Sequence, residues 1–119
     1  MAIQKQDGLH TDCAESAEDL TGKEFHFATY SSADKLSLCG DGGSIAGVIS
    51  EGKATGYHTS VNTKGNPILK VVAGSAIAFG DSVQSDADGK AKTGTTNAFG
   101  TARNAAAGGE MVMINTFET

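Results

Sequence analysis

The sequence predicts an all-β domain of short strands with an irregular segment at its N-terminus, and three observations predict it. Apolar and β-branched runs such as Ile45 to Ile49 and Ile68 to Val72 are strand-length and carry no helical period. Gly, Asp, Asn and Ser punctuate the gaps between them. The stretch from Lys70 to Lys90, KVVAGSAIAFGDSVQSDADGK, then reads as two strands and two turns with no place for a helix. In it, Val71 and Val72 end one run and Ala76 to Phe79 begin a second. Gly80-Asp81 interrupts that run before Ser82-Val83-Gln84, and Asp86-Ala87-Asp88-Gly89 forms the closing turn.

With 119 residues the chain is one domain, and its apolar content of 39% comes largely from small side chains, with no tryptophan. Small side chains bury little area each, so part of the stability is expected from association. A net charge of -5 with scattered basic residues argues against a nucleic-acid partner. No apolar run approaches the roughly 20 residues of a membrane span. The first residues lack the charged-then-apolar plan of a secretory signal, so synthesis and assembly in a cytosol are expected.

Residues 1 to 22 are polar and acidic, and their large apolar residues, Ile3, Leu9 and Leu20, are too far apart to form a stripe. Such a segment does not offset its ordering entropy alone, so it reads as a flexible tail or as an arm that orders on a partner. The domain proper is expected over residues 23 to 119. Phe25, Phe27 and Thr29 are expected on one strand face, with His26 pointing away from them, and Leu36 and Leu38 on the next strand after a turn at Ser31 to Asp34. Strands at Ile45 to Ile49, Tyr57 to Val61 and Ile68 to Val72 follow, separated by Gly-containing loops.

The last third repeats the first. Gly47 and Gly56 have the same spacing as Gly100 and Gly109, and this register of 53 residues pairs Ala46 with Phe99, Thr59 with Val112 and Val61 with Ile114. The repeat resolves the Ala-rich stretch Ala102 to Ala107, whose helix propensity is high. Its counterpart, Ile49 to Thr55, is a Gly-containing loop, so the expectation is a strand end and a turn. The final strand, Met111 to Phe117, is apolar on both alternating faces, as in a central strand or one covered by a neighbouring subunit.

No catalytic or metal-binding set emerges. Asp86 and Asp88 form a close carboxylate pair, but Asp-x-Asp-Gly is a turn pattern, and Asn97 stands where a calcium loop needs its final Glu. Gly40-Asp41-Gly42-Gly43-Ser44 lacks the Gly-Lys-Ser/Thr of a phosphate loop. Cys13 and Cys39 have no metal-ligand spacing and read as reduced thiols, at least one of them buried; His10, His26 and His58 stand alone. No cofactor is expected.

The series LTGKEFHFATYSSADKL, SIAGVIS, KVVAGSAIAFGDSVQSDADGKA and AFGTARNAAAGGEMVMI resembles the small capsid cement or head-decoration proteins of tailed bacteriophages. The resemblance covers about Leu20 to Ile114. VAGSAIAFGDSVQSDADGKA is its most specific piece and the AAAGGE turn its second, while Gly100-Thr101-Ala102 and Cys39 depart from the pattern. It implies a small barrel-like, or β-tulip-like, domain, assembled in a host cytoplasm, that attaches as a trimer to the outer surface of the capsid. It further implies an arm, residues 1 to 22, reaching onto the major capsid protein, with Ile3, Leu9 and Leu20 as its anchors. Met111, Val112, Met113 and Phe117 are then expected as subunit-contact or core residues. Two other readings stand beside this one: a virion-displayed carbohydrate-binding module, for which Tyr30 and Tyr57 are the aromatic candidates, and a minor tail component.

Overall fold

The structure, a computed structural model, describes residues 11–116, which form ten strands and no helix. The first five are β1 (Thr11–Ser16), β2 (Phe27–Ser32), β3 (Lys35–Leu38), β4 (Gly47–Glu51) and β5 (His58–Asn62). They close into a barrel in the order β1-β3-β2-β4-β5. The second five are β6 (Ile68–Val72), β7 (Ser82–Ser85), β8 (Ala91–Thr93), β9 (Gly100–Ala102) and β10 (Met111–Thr116), in the order β6-β10-β9-β7-β8.

The two sheets are one motif used twice. Every pairing in the barrel has its counterpart in the second sheet. The antiparallel pair Ala14 with Thr59 becomes Val71 with Val112, Ala28 with Leu38 becomes Val83 with Thr93, and Phe27 with Val48 becomes Ser82 with Thr101. Ile49 with Val61 becomes Ala102 with Ile114. Even the parallel contact of Ser16 with Leu36 recurs, as the bridge of Ala73 with Ala91. The offset is 57 residues for β1 to β6, 55 for β2 to β7 and β3 to β8, and 53 for the β4–β5 and β9–β10 hairpins. The two shorter connections of the second repeat absorb the change. The hairpin register expected from Gly47 and Gly100 is therefore the visible part of a duplication of the whole domain.

Both glycines sit where the chain has no room for a side chain. A Cβ on Gly47 would lie 2.5 Å from the Asn62 carbonyl oxygen, and one on Gly100 would lie 2.0 Å from that of Asn115, the same position in the other repeat.

One difference between the repeats joins them. In the barrel, Glu15 N–H donates to the Asp34 carbonyl and helps close the gap between β1 and β3. At the equivalent gap between β6 and β8, Val72 N–H donates to Phe25 O (2.9 Å), and Phe27 N–H donates to Gly89 O (2.6 Å). The entry to β2 is thus wedged into the second sheet. The wedge carries a side chain with it: the Phe27 ring meets Phe99 edge to face at 5.3 Å, and Phe27, Cys39 and Val48 belong to the same buried cluster as Val71, Val83, Val112 and Ile114. The barrel keeps a smaller core of Ala14, Leu20, Ala28, Leu36, Ile49 and Val61. Ser82, Gly94 and Thr101, the counterparts of Phe27, Cys39 and Val48, are polar or lack a side chain, so the second repeat has no such wedge to offer in return.

Several expectations need correction. Thr11–Ser16, within the supposed arm, is a barrel strand. β1 pairs with both β3 and β5, and Leu20 is fully buried in the barrel core with its N–H donating to Lys53 O. Phe25 does not share a strand face with Phe27. It precedes β2 at φ 65, exposed, and His26 turns its Nδ1 toward the Glu24 carbonyl at 3.0 Å. Ala76 to Phe79 is no strand: Ile77 makes an isolated bridge with Ala106, and a turn begins at Ala78. Ala102 to Ala107 does run from strand end into a turn, and the hairpin from Phe27 to Leu38 forms with its turn at Asp34.

Candidate interaction surface

Of the residues expected to make contacts, Ile3, Leu9 and Phe117 lie outside the described residues. Leu20 is buried, so it is a barrel core residue and not an anchor. Val112 is likewise fully buried, under β10. Met111 and Met113 alternate with it and point outward, 41% and 36% exposed. On the neighbouring β6, Val72 and Lys70 lie opposite Met111 and Met113, and Ile68, 40% exposed, lies further along, opposite Asn115.

The duplication supplies an internal control for this face. On β6 and β10 the outward residues are Ile68, Lys70, Val72, Met111, Met113 and Asn115. At the same positions of β1 and β5 stand Thr11, Cys13, Glu15, His58, Ser60 and Asn62. The fold therefore accepts either a polar or a largely apolar outer face at these positions. Charge divides the same way. Residues 1 to 62 hold nine of the 14 acidic and four of the nine basic residues, whereas residues 63 to 119 hold five of each. One repeat carries the entire formal charge of -5, and the other is neutral and more apolar outside.

A second apolar feature lies at the end of the same repeat. The turn from Ala78 to Asp81 is closed by Asp81 N–H donating to Ala78 O (3.1 Å). Ala78 N–H donates to Asp81 Oδ2 (2.9 Å), and Gly80 takes the positive φ of 87° that a type II turn needs at its third position. Phe79 occupies the second position and is 76% exposed. Beside it lies an open groove of about 510 Å3 lined by Ala76, Ala78, Ala105 and Ala107, with Asp81 and Glu110 also in its lining. The equivalent turn of the barrel, Lys23 to His26, puts Glu24 where Phe79 stands. Glu24 folds back to accept the Gly52 N–H at 2.9 Å, and that bond lowers its pKa.

The polar residues singled out in the sequence have structural work. Asp86 Oδ1 accepts N–H bonds from Asp88 (2.8 Å) and Lys90 (2.9 Å), which makes the Asp-x-Asp-Gly segment a capped turn. Cys39 is buried, its thiol pKa raised by desolvation, and Cys13 is exposed; both are free thiols. Tyr30 donates its phenol to Asp12, and Tyr57 is exposed on the loop before β5. Among the described residues, no three His, Cys, Asp or Glu side chains sit together as a metal site. Sequence reasoning missed Phe79 as a surface residue. The visible signal was Gly80-Asp81 directly after it, which marks a turn and so an exposed preceding side chain.

No protein of curated function matches the sequence. Among solved structures, the chain is similar to the N base of the head fiber protein gp8.5 of bacteriophage phi29, with a TM-score of 0.75 and 22% identity. The match covers 94% of this chain and 100% of that one, and at this identity it shows a shared fold. A family model described as phage cement protein matches residues 5–116, which takes in every strand of both repeats. The chain therefore belongs to the phage cement protein family, as a capsid-associated structural protein of the decoration type.

Proposed function

We propose that the protein binds the outer surface of an expanded phage shell as a trimer and stabilises the shell mechanically. The observation that carries this reading is the outward Ile68, Met111 and Met113 of the second repeat, set against polar residues at the same positions of the first. In a family of cement proteins, a largely apolar face with no role in its own core is a surface for other protein. Met111 and Met113, with Ile68, pack between copies. Ile3 and Leu9, which precede β1, reach the major capsid protein.

The mechanism is linkage. A protein that binds the expanded lattice and not its dissociated subunits lowers the free energy of the lattice with every copy bound. Three linked copies make dissociation of any one site an intramolecular, quickly reversed event. No chemical step is required, and the turn-capping roles of Asp86 and Glu24 fit that.

The test uses purified protein and cognate heads made without it. Wild type is expected to cosediment with expanded heads and not with precursor heads. A chain lacking residues 1 to 10 is expected to keep the β-sheet circular dichroism spectrum and lose binding. Full binding by the truncated chain removes Ile3 and Leu9 from the contact, and absence of binding by wild type overturns the reading as a whole.

A further inference from the structure

We propose that Phe79 and the alanine-lined groove beside it form a preorganised docking site for the shell, with the Phe79 ring inserting into an apolar pocket on the capsid's outer surface. This rests on the shell-binding function proposed above and names the part of the molecule that grips.

Three features argue for it. The first is the exposure of the ring: at 76% exposed, Phe79 contributes little to its own fold, since the gain from burying an aromatic ring is not collected there. The second is rigidity. The turn that displays Phe79 is fastened on all sides: Gly80 N–H donates to Ala102 O (2.9 Å), and Ile77 and Ala106 exchange two N–H bonds at 2.8 and 2.9 Å. Asp81 Oδ2 takes both the Ala78 N–H and the Thr93 hydroxyl, at 2.9 and 3.0 Å. An aromatic ring held on such a turn loses little backbone entropy on docking, which is the character of an interface anchor.

The third is the comparison between repeats. The matching turn of the barrel keeps the same geometry with Glu24 in the place of Phe79, and Glu24 satisfies its own repeat by accepting the Gly52 N–H. The turn therefore does not require an aromatic residue. The phenylalanine stands on the neutral repeat, beside a groove whose methyl groups leave about 510 Å3 open. Both acidic residues of that groove, Asp81 and Glu110, already accept backbone N–H bonds, from Ala78 and Ala107. The site thus combines alanine walls with two hydrogen-bonded carboxylates, and fits an apolar protein surface that brings donor groups to its edge. The occupant is the shell, because the family acts on a shell and the acidic repeat is the half suited to face solvent.

The experiment compares wild type, Phe79→Glu and Phe79→Ala. Phe79→Glu copies the residue that the barrel uses at this turn, so both variants are expected to melt with wild type and to show its mass in solution. Affinity for expanded heads, measured by cosedimentation, is expected to fall about 30-fold or more in both, the loss of one interface anchor. Unchanged binding by the variants overturns the proposal while leaving shell binding intact. A variant that binds shells normally but changes its mass in solution also overturns it, by assigning Phe79 to contacts between copies. Wild type that does not bind heads overturns this proposal and the shell-binding function together.

Discussion

Ser16 and Thr59 show at single-residue scale what the duplication permits. Their hydroxyls hydrogen-bond at 2.6 Å inside the barrel, and Thr59 Oγ1 also accepts the Lys53 N–H at 2.9 Å. In the second repeat the same two positions are Ala73 and Val112, which simply pack. A buried polar pair and an apolar pair thus solve one packing problem, whereas half a pair solves neither. Thr59→Val alone is expected to cost about 1–3 kcal/mol, because it strands Ser16 and the Lys53 N–H. Adding Ser16→Ala is expected to cost less in the Thr59→Val background than in wild type, and a urea-denaturation double-mutant cycle measures the difference.

Tyr30 makes a pH prediction at the same scale. Its phenol donates to Asp12, and that bond, with burial and the neighbouring carboxylates, raises its pKa from 10.0 to about 12. A folded-state pKa above the unfolded value means stability that is fully present below pH 10 and is lost as pH rises toward about 12. In the Tyr57→Phe protein, ultraviolet titration reports Tyr30 alone, and its midpoint is expected near 12. A midpoint near 10 contradicts the Asp12 contact.

At the scale of elements, what could be read from the sequence followed the size of the side chains. β6 and β10 announce themselves through Val, Ile and Met, and the hairpin register through Gly47 and Gly100, whose missing Cβ atoms let strands approach. β1 was illegible because its inward residues are Ala14 and Ser16. The large residues Leu36 and Val61 of the adjacent β3 and β5, with Ile49 of β4, fill the barrel interior, so small side chains suffice and no apolar alternation appears. The full duplication was hidden for two reasons. Its offset drifts from 57 to 53 residues, and equivalent positions exchange chemistry, as Ser16 with Ala73 and Glu24 with Phe79 do. Phe25 misled for a backbone reason: at φ 65 it occupies the turn position that Gly80 fills in the other repeat, which breaks the alternation with Phe27.

The wedge of β2 in the second sheet carries the main prediction at this scale. Phe27 starts a strand of one repeat and fills the core of the other, so Phe27→Ala is expected to cost about 3–5 kcal/mol. Because the wedge couples the repeats, thermal unfolding is expected as one transition in wild type. Two separate transitions in calorimetry contradict the shared core. Gly100→Ala tests the strand approach. Its Cβ would meet the backbone of Asn115, which cannot yield without breaking the β9–β10 pairing, and a loss of about 1–3 kcal/mol or more is expected.

For the molecule as a whole, the duplication has produced two halves with one backbone plan and opposite outer surfaces. The three described ion pairs, Lys35 with Glu15, Lys53 with Glu51 and Lys92 with Asp41, are exposed and contribute little to stability. What sets the halves apart is net charge: the second repeat, with Phe79, Ile68, Met111 and Met113 outside, is balanced, while the first carries the net -5. Composition alone gave an expectation of association, but which outer face is the apolar one was not legible in the sequence. That required knowing which residues of β6 and β10 point inward and which equivalent positions are polar in the barrel.

The central claim is that the chain reinforces a shell by binding it, and the direct measurement is the thermal stability of expanded heads with and without the protein. Saturated heads are expected to release their contents at a higher temperature than bare heads, with the shift growing with occupancy and falling away when Phe79→Glu is supplied at the same concentration. Heads that bind the wild-type protein and yet come apart at the temperature of bare heads would contradict the account.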